Sequence, residues 1–214
     1  MKHQPIQPVP DQAAGMTRRA LAKMRTRQRL LGAARRLFTT RGYEAATIRD
    51  IAAEADLSTG AVFASFSDKA DLFNEVIIAD CEALFQEMAE VGNEGAPTDI
   101  LLRLLSHGYA MHLEHLPLTK AALGFSWIRN LDQETRYRRS WRVILNRLSA
   151  VLAQGVERGE LSSDLDIPLT SEMILDAYLA NFRRAIFDGW DVVRLQERLR
   201  SQITVLLAGY QAAA

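Results

Sequence analysis

Apolar residues recur along the chain at intervals of three and four, the spacing of one helical face, and the Val-Ile-Thr alternation of a strand is absent. Leu30, Leu31, Ala34, Leu37 and Phe38 form the first stripe, and Gly42 is placed to stop that helix. Leu21 and Met24 continue the spacing backwards, so Thr17–Gln28 reads either as helix or as an arm. Thr47 and Asp50 make a Thr-x-x-Asp cap before a short helix whose apolar face is Ile48, Ile51, Ala52 and Ala55. Asp56-Leu57-Ser58 then reads as a tight connection, with Asp tolerant of a left-handed backbone and Ser58 able to cap the next helix.

Thr59 to Ser65 is a second short helix, with Val62 and Phe66 turned towards a core. Asp68-x-x-Asp71 opens a long helix carrying Leu72, Phe73, Val76, Ile77, Cys81, Leu84, Phe85 and Met88 on one face. Gly92, Gly95 and Pro97 end it. Further helices are predicted near 98–115, 118–130, 133–157, 169–188 and 191–210. The chain is therefore expected to be all-α, with eight to ten helices and no internal repeat.

The 214 residues are 48% hydrophobic, enough for one large or two modest cores. Apolar runs are short and broken by charge, so no bilayer-spanning segment is expected. The opening MKHQPIQPVPDQAAGM, with Pro5, Pro8 and Pro10, reads as a flexible tail and lacks the apolar stretch of a secretory signal, so a cytoplasmic location is expected. A lone cysteine, Cys81, rules out an internal disulfide and reads as a buried structural residue.

Charge changes the picture. The net charge is zero, yet residues 1–50 hold eleven Lys and Arg against three carboxylates, so the remainder is acidic by the same excess of eight. Such asymmetry points to a basic N-terminal functional region joined to a differently employed body. Two short capped helices behind a basic helix make a helix-turn-helix unit.

The longer string TIRDIAAEADLSTGAVFASFSDKADLF, preceded by LLGAARRLFTTRGYEAA, resembles the DNA-binding domain of the TetR family of one-component transcriptional regulators. The resemblance covers about residues 29–75. GVERGEL before the last two helices is also similar to the family. It implies a three-helix DNA-binding domain followed by a larger helical ligand-binding and dimerisation domain. The expected division is a flexible basic extension over 1–24, the helix-turn-helix domain over 25–75, and the effector and dimerisation domain over 76–214. The implied partners are double-stranded DNA with a palindromic operator, a second copy of the chain, and a small-molecule effector that releases DNA. Two positions depart from the family: Asp56 stands where glycine is usual in the turn, and Phe63 where tyrosine is common in the recognition helix.

For base reading, Ser58, Thr59, Ala61 and Ser65 are expected on the exposed side, with Gly60 allowing close approach of helix and DNA. Phe63 can pack on sugar or a thymine methyl but has no hydroxyl for a phosphate. Thr47, through its hydroxyl and backbone N–H, and Lys69 are expected to hold phosphates. Arg18, Arg19, Lys23 and Arg25 are candidates for an arm entering the minor groove.

An effector site is expected among His107, Met111, Phe125, Trp127, Arg129, Trp141, Tyr178 and Phe182, mostly apolar with a few directed polar groups. Met173, Ala177, Ile186, Leu195, Leu199, Ile203, Leu206 and Tyr210 on the last two helices are candidates for the dimer interface. His107, His112 and His115 invite a metal or haem reading, but no acidic or Cys/His ligand spacing accompanies them, so neither metal nor cofactor is expected. The sequence holds no phosphate-cradling glycine loop, His-Glu-x-x-His or Gly-x-Ser-x-Gly, and no catalytic residues are assigned. The alternatives to a repressor are a helical adaptor without DNA binding and a metal- or haem-sensing regulator.

Overall fold

The computed structural model describes residues 17–211, which form nine α-helices, one short 3-10 turn and no strand. The expected tail over 1–16 lies outside the described residues. Helix α1 (Arg18–Ala45) begins at the Thr17 cap and breaks at Gly42, where φ is +79°, so the expected stop is a sharp turn inside one continuous element. The helical reading of Thr17–Gln28 is therefore the one adopted. Residues 18–24, expected within a flexible extension, are the first two turns of α1.

Helix α2 (Ile48–Glu54) starts with a complete capping box: the Thr47 hydroxyl oxygen accepts from the Asp50 N–H, and the Asp50 carboxylate accepts from the Thr47 N–H. Ser58 caps α3 (Thr59–Phe63) by accepting from the Ala61 N–H. Between them Asp56 adopts φ +53°, the one positive φ outside glycine among the described residues. The Asp-for-Gly departure thus preserves the left-handed turn at modest backbone cost. Val62 and Phe66 are buried, as the pattern predicts.

Helix α4 (Lys69–Ala89), capped by Asp68, runs unbroken across the expected domain boundary at 75/76. Its first turns complete the DNA-binding domain and its later turns enter the second domain. That domain adds α5 (Pro97–Glu114), α6 (Leu116–Phe125), α7 (Leu131–Glu157), α8 (Ile167–Asp188) and α9 (Val192–Leu207). Helix α4 packs on α7, α5 on α9, and α8 on both α7 and α9. Gly108 is required at one crossing: a Cβ there would lie 2.3 Å from the Tyr178 hydroxyl. Gly189, with φ +67°, turns the chain from α8 into α9.

The stripe Leu195, Leu199 and Ile203 is fully buried inside the protomer, where α9 packs on α5 and α8. This corrects the expectation that these three face a second chain: periodicity identifies a stripe, not what covers it. Ala177, Ile186, Leu206 and Tyr210 are half-buried against the same core. Of the eight candidates, Met173 is the exposed one.

Candidate nucleic-acid interface and effector cavity

The short helices α2 and α3 bury too little surface to hold themselves, and the arginines of α1 fasten them. Arg29 donates to the carbonyls of Ala55 and Asp56 at the end of α2. Arg27 donates to the Ser65 carbonyl beyond α3, stacks 4.3 Å from the Phe66 ring centroid and pairs with Glu75 on α4. These charge-assisted bonds satisfy carbonyls that the helix ends leave open. Arg35 and Arg36 pair with Asp80 and Glu54. Much of the α1 charge therefore holds structure.

The rest is free to meet an anion. Arg18, Arg19, Lys23 and Arg25 are exposed and make no ion pair among the described residues. They sit on the N-terminal turns of α1, so the helix itself presents them, and this corrects the picture of an extended arm.

Helix α3 turns Ser58, Thr59 and Gly60 to solvent, with Ala61 and Ser65 half-buried and Phe63 59% exposed. An aromatic side chain this open on a short polar face is available for contact. Lys69, half-buried at the start of α4, rests 4.2 Å from the Tyr43 ring centroid and donates to the Glu44 carbonyl at 3.2 Å. An ammonium has three N–H donors, so two remain for a phosphate.

Thr47 differs from expectation. Its hydroxyl donates to the Asp50 carboxylate at 2.6 Å and its N–H donates to the same oxygen at 3.1 Å. These bonds also hold the Asp50 carboxyl below the usual carboxylate range, the Thr47 side-chain bond contributing most. Both donors assigned to a phosphate are thus engaged in the cap.

A cavity of about 100 Å³ opens between α4, α5, α6, α7 and α8. Met111, Trp141 and Phe182 line it, as the sequence suggests, together with Cys81, His112, His115, Leu118 and Tyr137. Arg35 and Asp80 stand at its edge, 2.7 Å apart, so α1 reaches the cavity directly. Burial pushes the Cys81 thiol up to about 12, consistent with a packing role. Burial lowers the His112 pKa, while its Nδ1 sits 2.7 Å from the Gly108 carbonyl oxygen.

Five expected lining residues lie elsewhere. His107 is at the surface, with Nε2 2.9 Å from the Glu87 carboxylate. Trp127 is 90% exposed in the α6–α7 connection. Tyr178 stacks on Tyr109 beside the cavity, with ring centroids 4.6 Å apart. The Arg129 side chain, only 2% exposed, lies beneath the Tyr137 ring and bonds Asn74 of α4 and the Ala122 carbonyl of α6. Phe125, at the end of α6, packs between Tyr43 of α1 and Phe73 of α4. Among the described residues no three His, Cys, Asp or Glu side chains gather around a common point.

Cys81 and Tyr137 were missed as lining residues because a residue facing a small cavity has the same periodicity as one facing a filled core. His112 had a signal, its place among the aromatic and polar residues of α5, but not one that separated it from His107.

Residues 30–76 match the model of bacterial regulatory proteins of the tetR family. Over 177 residues the chain is 28% identical to the HTH-type transcriptional repressor AcnR of Corynebacterium diphtheriae, spanning 81% of this chain and 87% of that one. Over 164 residues it is 27% identical to the repressor KstR2 of Rhodococcus jostii, spanning 70% of this chain and 74% of the relative. The fold is shared with the transcriptional regulator FadR of Bacillus subtilis, solved in complex with stearoyl-CoA. That likeness has a TM-score of 0.70 at 19% identity, over 85% of this chain and 98% of the other.

Proposed function

We propose, from the match of residues 30–76 to the tetR family of bacterial regulatory proteins and the likeness to its repressors, that this chain is a ligand-responsive repressor binding a palindromic operator as a homodimer. The observation that carries the reading is the α3 face. Ser58, Thr59, Gly60 and Phe63 are open to solvent, while Val62 and the Arg27 and Arg29 clamps fix the helix from behind. Lys69 and the exposed cations of α1 supply the positive charge that phosphates require.

Hydroxyl and methyl groups choose bases less sharply than bidentate arginine does, so affinity rests on the cations and sequence choice on several weak contacts. The Thr47 donors stay with Asp50, and the α2 terminus meets a phosphate through the next backbone N–H groups along the helix.

Dimerisation is supported by the outward stripe of α8. Leu169, Met173 and Phe187 are exposed there, and Val205 on α9 is 75% exposed. These apolar side chains suit a second copy related by a two-fold axis, which would place two α3 helices on successive half-sites. Operator release results if the effector binds the DNA-incompetent state more tightly than the competent one.

A mobility shift with DNA from upstream of its own gene, at low and moderate salt, tests the proposal. A shifted complex of one dimer on a palindromic site is expected. Failure on all promoter fragments at low salt would favour an adaptor without DNA binding.

A further inference from the structure

We infer that the cavity beside Trp141 and His112 selects a compact, uncharged hydroxy-aromatic molecule, with the ligand hydroxyl pairing to those two side chains. This rests on reading the cavity as the effector site and narrows what that effector is.

Size comes first. A cavity of about 150 Å³ is enough for one benzene molecule, and this one is about 100 Å³. It is on the scale of a single ring. Four rings, those of Trp141, Tyr137, Phe182 and His112, stand in the lining among aliphatic side chains such as Leu84, Met111 and Leu179. Such rings favour offset or edge-on packing of another ring.

Hydrogen bonding narrows the chemistry. Trp141 is 7% exposed and its indole N–H has no partner. It lies near the Cys81 thiol and the Tyr137 hydroxyl without reaching hydrogen-bond geometry with either. A buried donor without a partner costs about 1–3 kcal/mol, which a ligand acceptor would relieve. At His112 the Gly108 carbonyl can only accept, so Nδ1 is the protonated nitrogen. Burial keeps the ring neutral, which leaves Nε2 as an acceptor. The lining thus includes a buried donor without a partner, at Trp141, and an acceptor at His112. A hydroxyl answers both, an ether or ketone only the first, and a hydrocarbon neither.

Charge removes the acids. The guanidinium at the rim, Arg35, is already neutralised by Asp80 at 2.7 Å. A carboxylate or a phosphorylated cofactor entering here would lose its hydration without an unpaired arginine or lysine in return.

The test is a ligand-observed NMR titration of the full chain with phenol, anisole, toluene, benzoate and octanoyl-CoA. Phenol is expected to bind at least tenfold more tightly than anisole or toluene, and benzoate and octanoyl-CoA more weakly still. Trp141→Phe should cost phenol about tenfold, the scale of one missing hydrogen bond, and leave toluene unchanged. His112→Phe should erase the preference of phenol over anisole. Toluene matching phenol, preferred binding of benzoate or octanoyl-CoA, or no binding of any probe would overturn the inference. So would a parallel fall for toluene in Trp141→Phe, because packing would then explain the loss. The titration contains no DNA, so its failure leaves operator binding by the ligand-free protein standing, and failure of operator binding is read separately.

Discussion

The ring of Phe125 meets that of Tyr43 at a centroid separation of 4.5 Å and an interplanar angle of 69°. Phe125 ends α6, whose earlier residues Leu118 and Thr119 line the cavity, and Tyr43 belongs to the DNA-binding domain beside Lys69. Edge-on aromatic contact is directional, so a shift of α6 would be felt at Tyr43 and Phe73. Phe125→Ala is expected to cost about 2–3 kcal/mol of stability, below the range for a fully buried Phe because this one is half-buried. Operator affinity without effector should stay within a few-fold, while the release of DNA by effector weakens. Chemical denaturation and anisotropy titrations of labelled operator measure both; an undiminished effector response would remove the residue from the coupling route.

Phe63 offers a cleaner separation of affinity from folding. Being largely exposed, it contributes little to the core, so Phe63→Ala should leave the melting temperature nearly unchanged. Operator affinity should fall by roughly tenfold, the scale of one well-packed contact. Phe63→Tyr restores a hydroxyl that a phosphate can accept from and should tighten binding several-fold. Equal affinity for all three proteins would mean that this ring never meets DNA.

The four exposed cations at the start of α1 should appear in the salt dependence. Replacing Arg18, Arg19, Lys23 and Arg25 by Gln should flatten the slope of log affinity against log salt by about 0.9 for each phosphate no longer neutralised. Sequence preference should survive, because these side chains add charge rather than base contacts. A slope identical to that of the parent protein would assign them no phosphate.

At Asp56 the backbone itself can be tested. Its φ of +53° is tolerated by Asp and easily adopted by Gly. Asp56→Gly should change stability by less than about 1 kcal/mol. Asp56→Val, β-branched in a left-handed turn, should lose about 1–2 kcal/mol and melt first in the α2–α3 region. Thermal melts and amide exchange over residues 48–63 report the two effects.

Burial lowers the pKa of His112, so its folded value lies below 6.5. As pH falls from about 6.5 towards that folded value, the unfolded chain takes up a proton that the folded one refuses, and stability drops. The contribution is fully present above the unfolded value. Its slope is at most about 1.4 kcal/mol per pH unit. His112→Phe should remove this component, seen as a smaller loss of stability between pH 7 and 5 by urea denaturation. A curve parallel to the parent protein would show that the imidazole does not titrate differently on unfolding.

What the sequence determined by itself is local. The caps at Thr47, Ser58 and Asp68 and the left-handed turn at Asp56 are set within three or four residues of chain, so their chemistry can be read directly. The helical stripes are equally visible, and with them the exposed face of α3. Tertiary structure decided what covers each stripe. Leu195, Leu199 and Ile203 look like an interface until α5 and α8 bury them. Arg27 and Arg29 follow Arg25 in one basic run, and only the fold shows them held by carbonyls and Glu75 at sequence separations of 26 to 48 residues. Cys81, His112 and Tyr137 come together as a cavity wall for the same reason. Periodicity fixes the direction in which a side chain points along its own helix. Which helix it then meets depends on long-range packing, where many pairings of similar stripes are chemically acceptable and only the whole fold selects one.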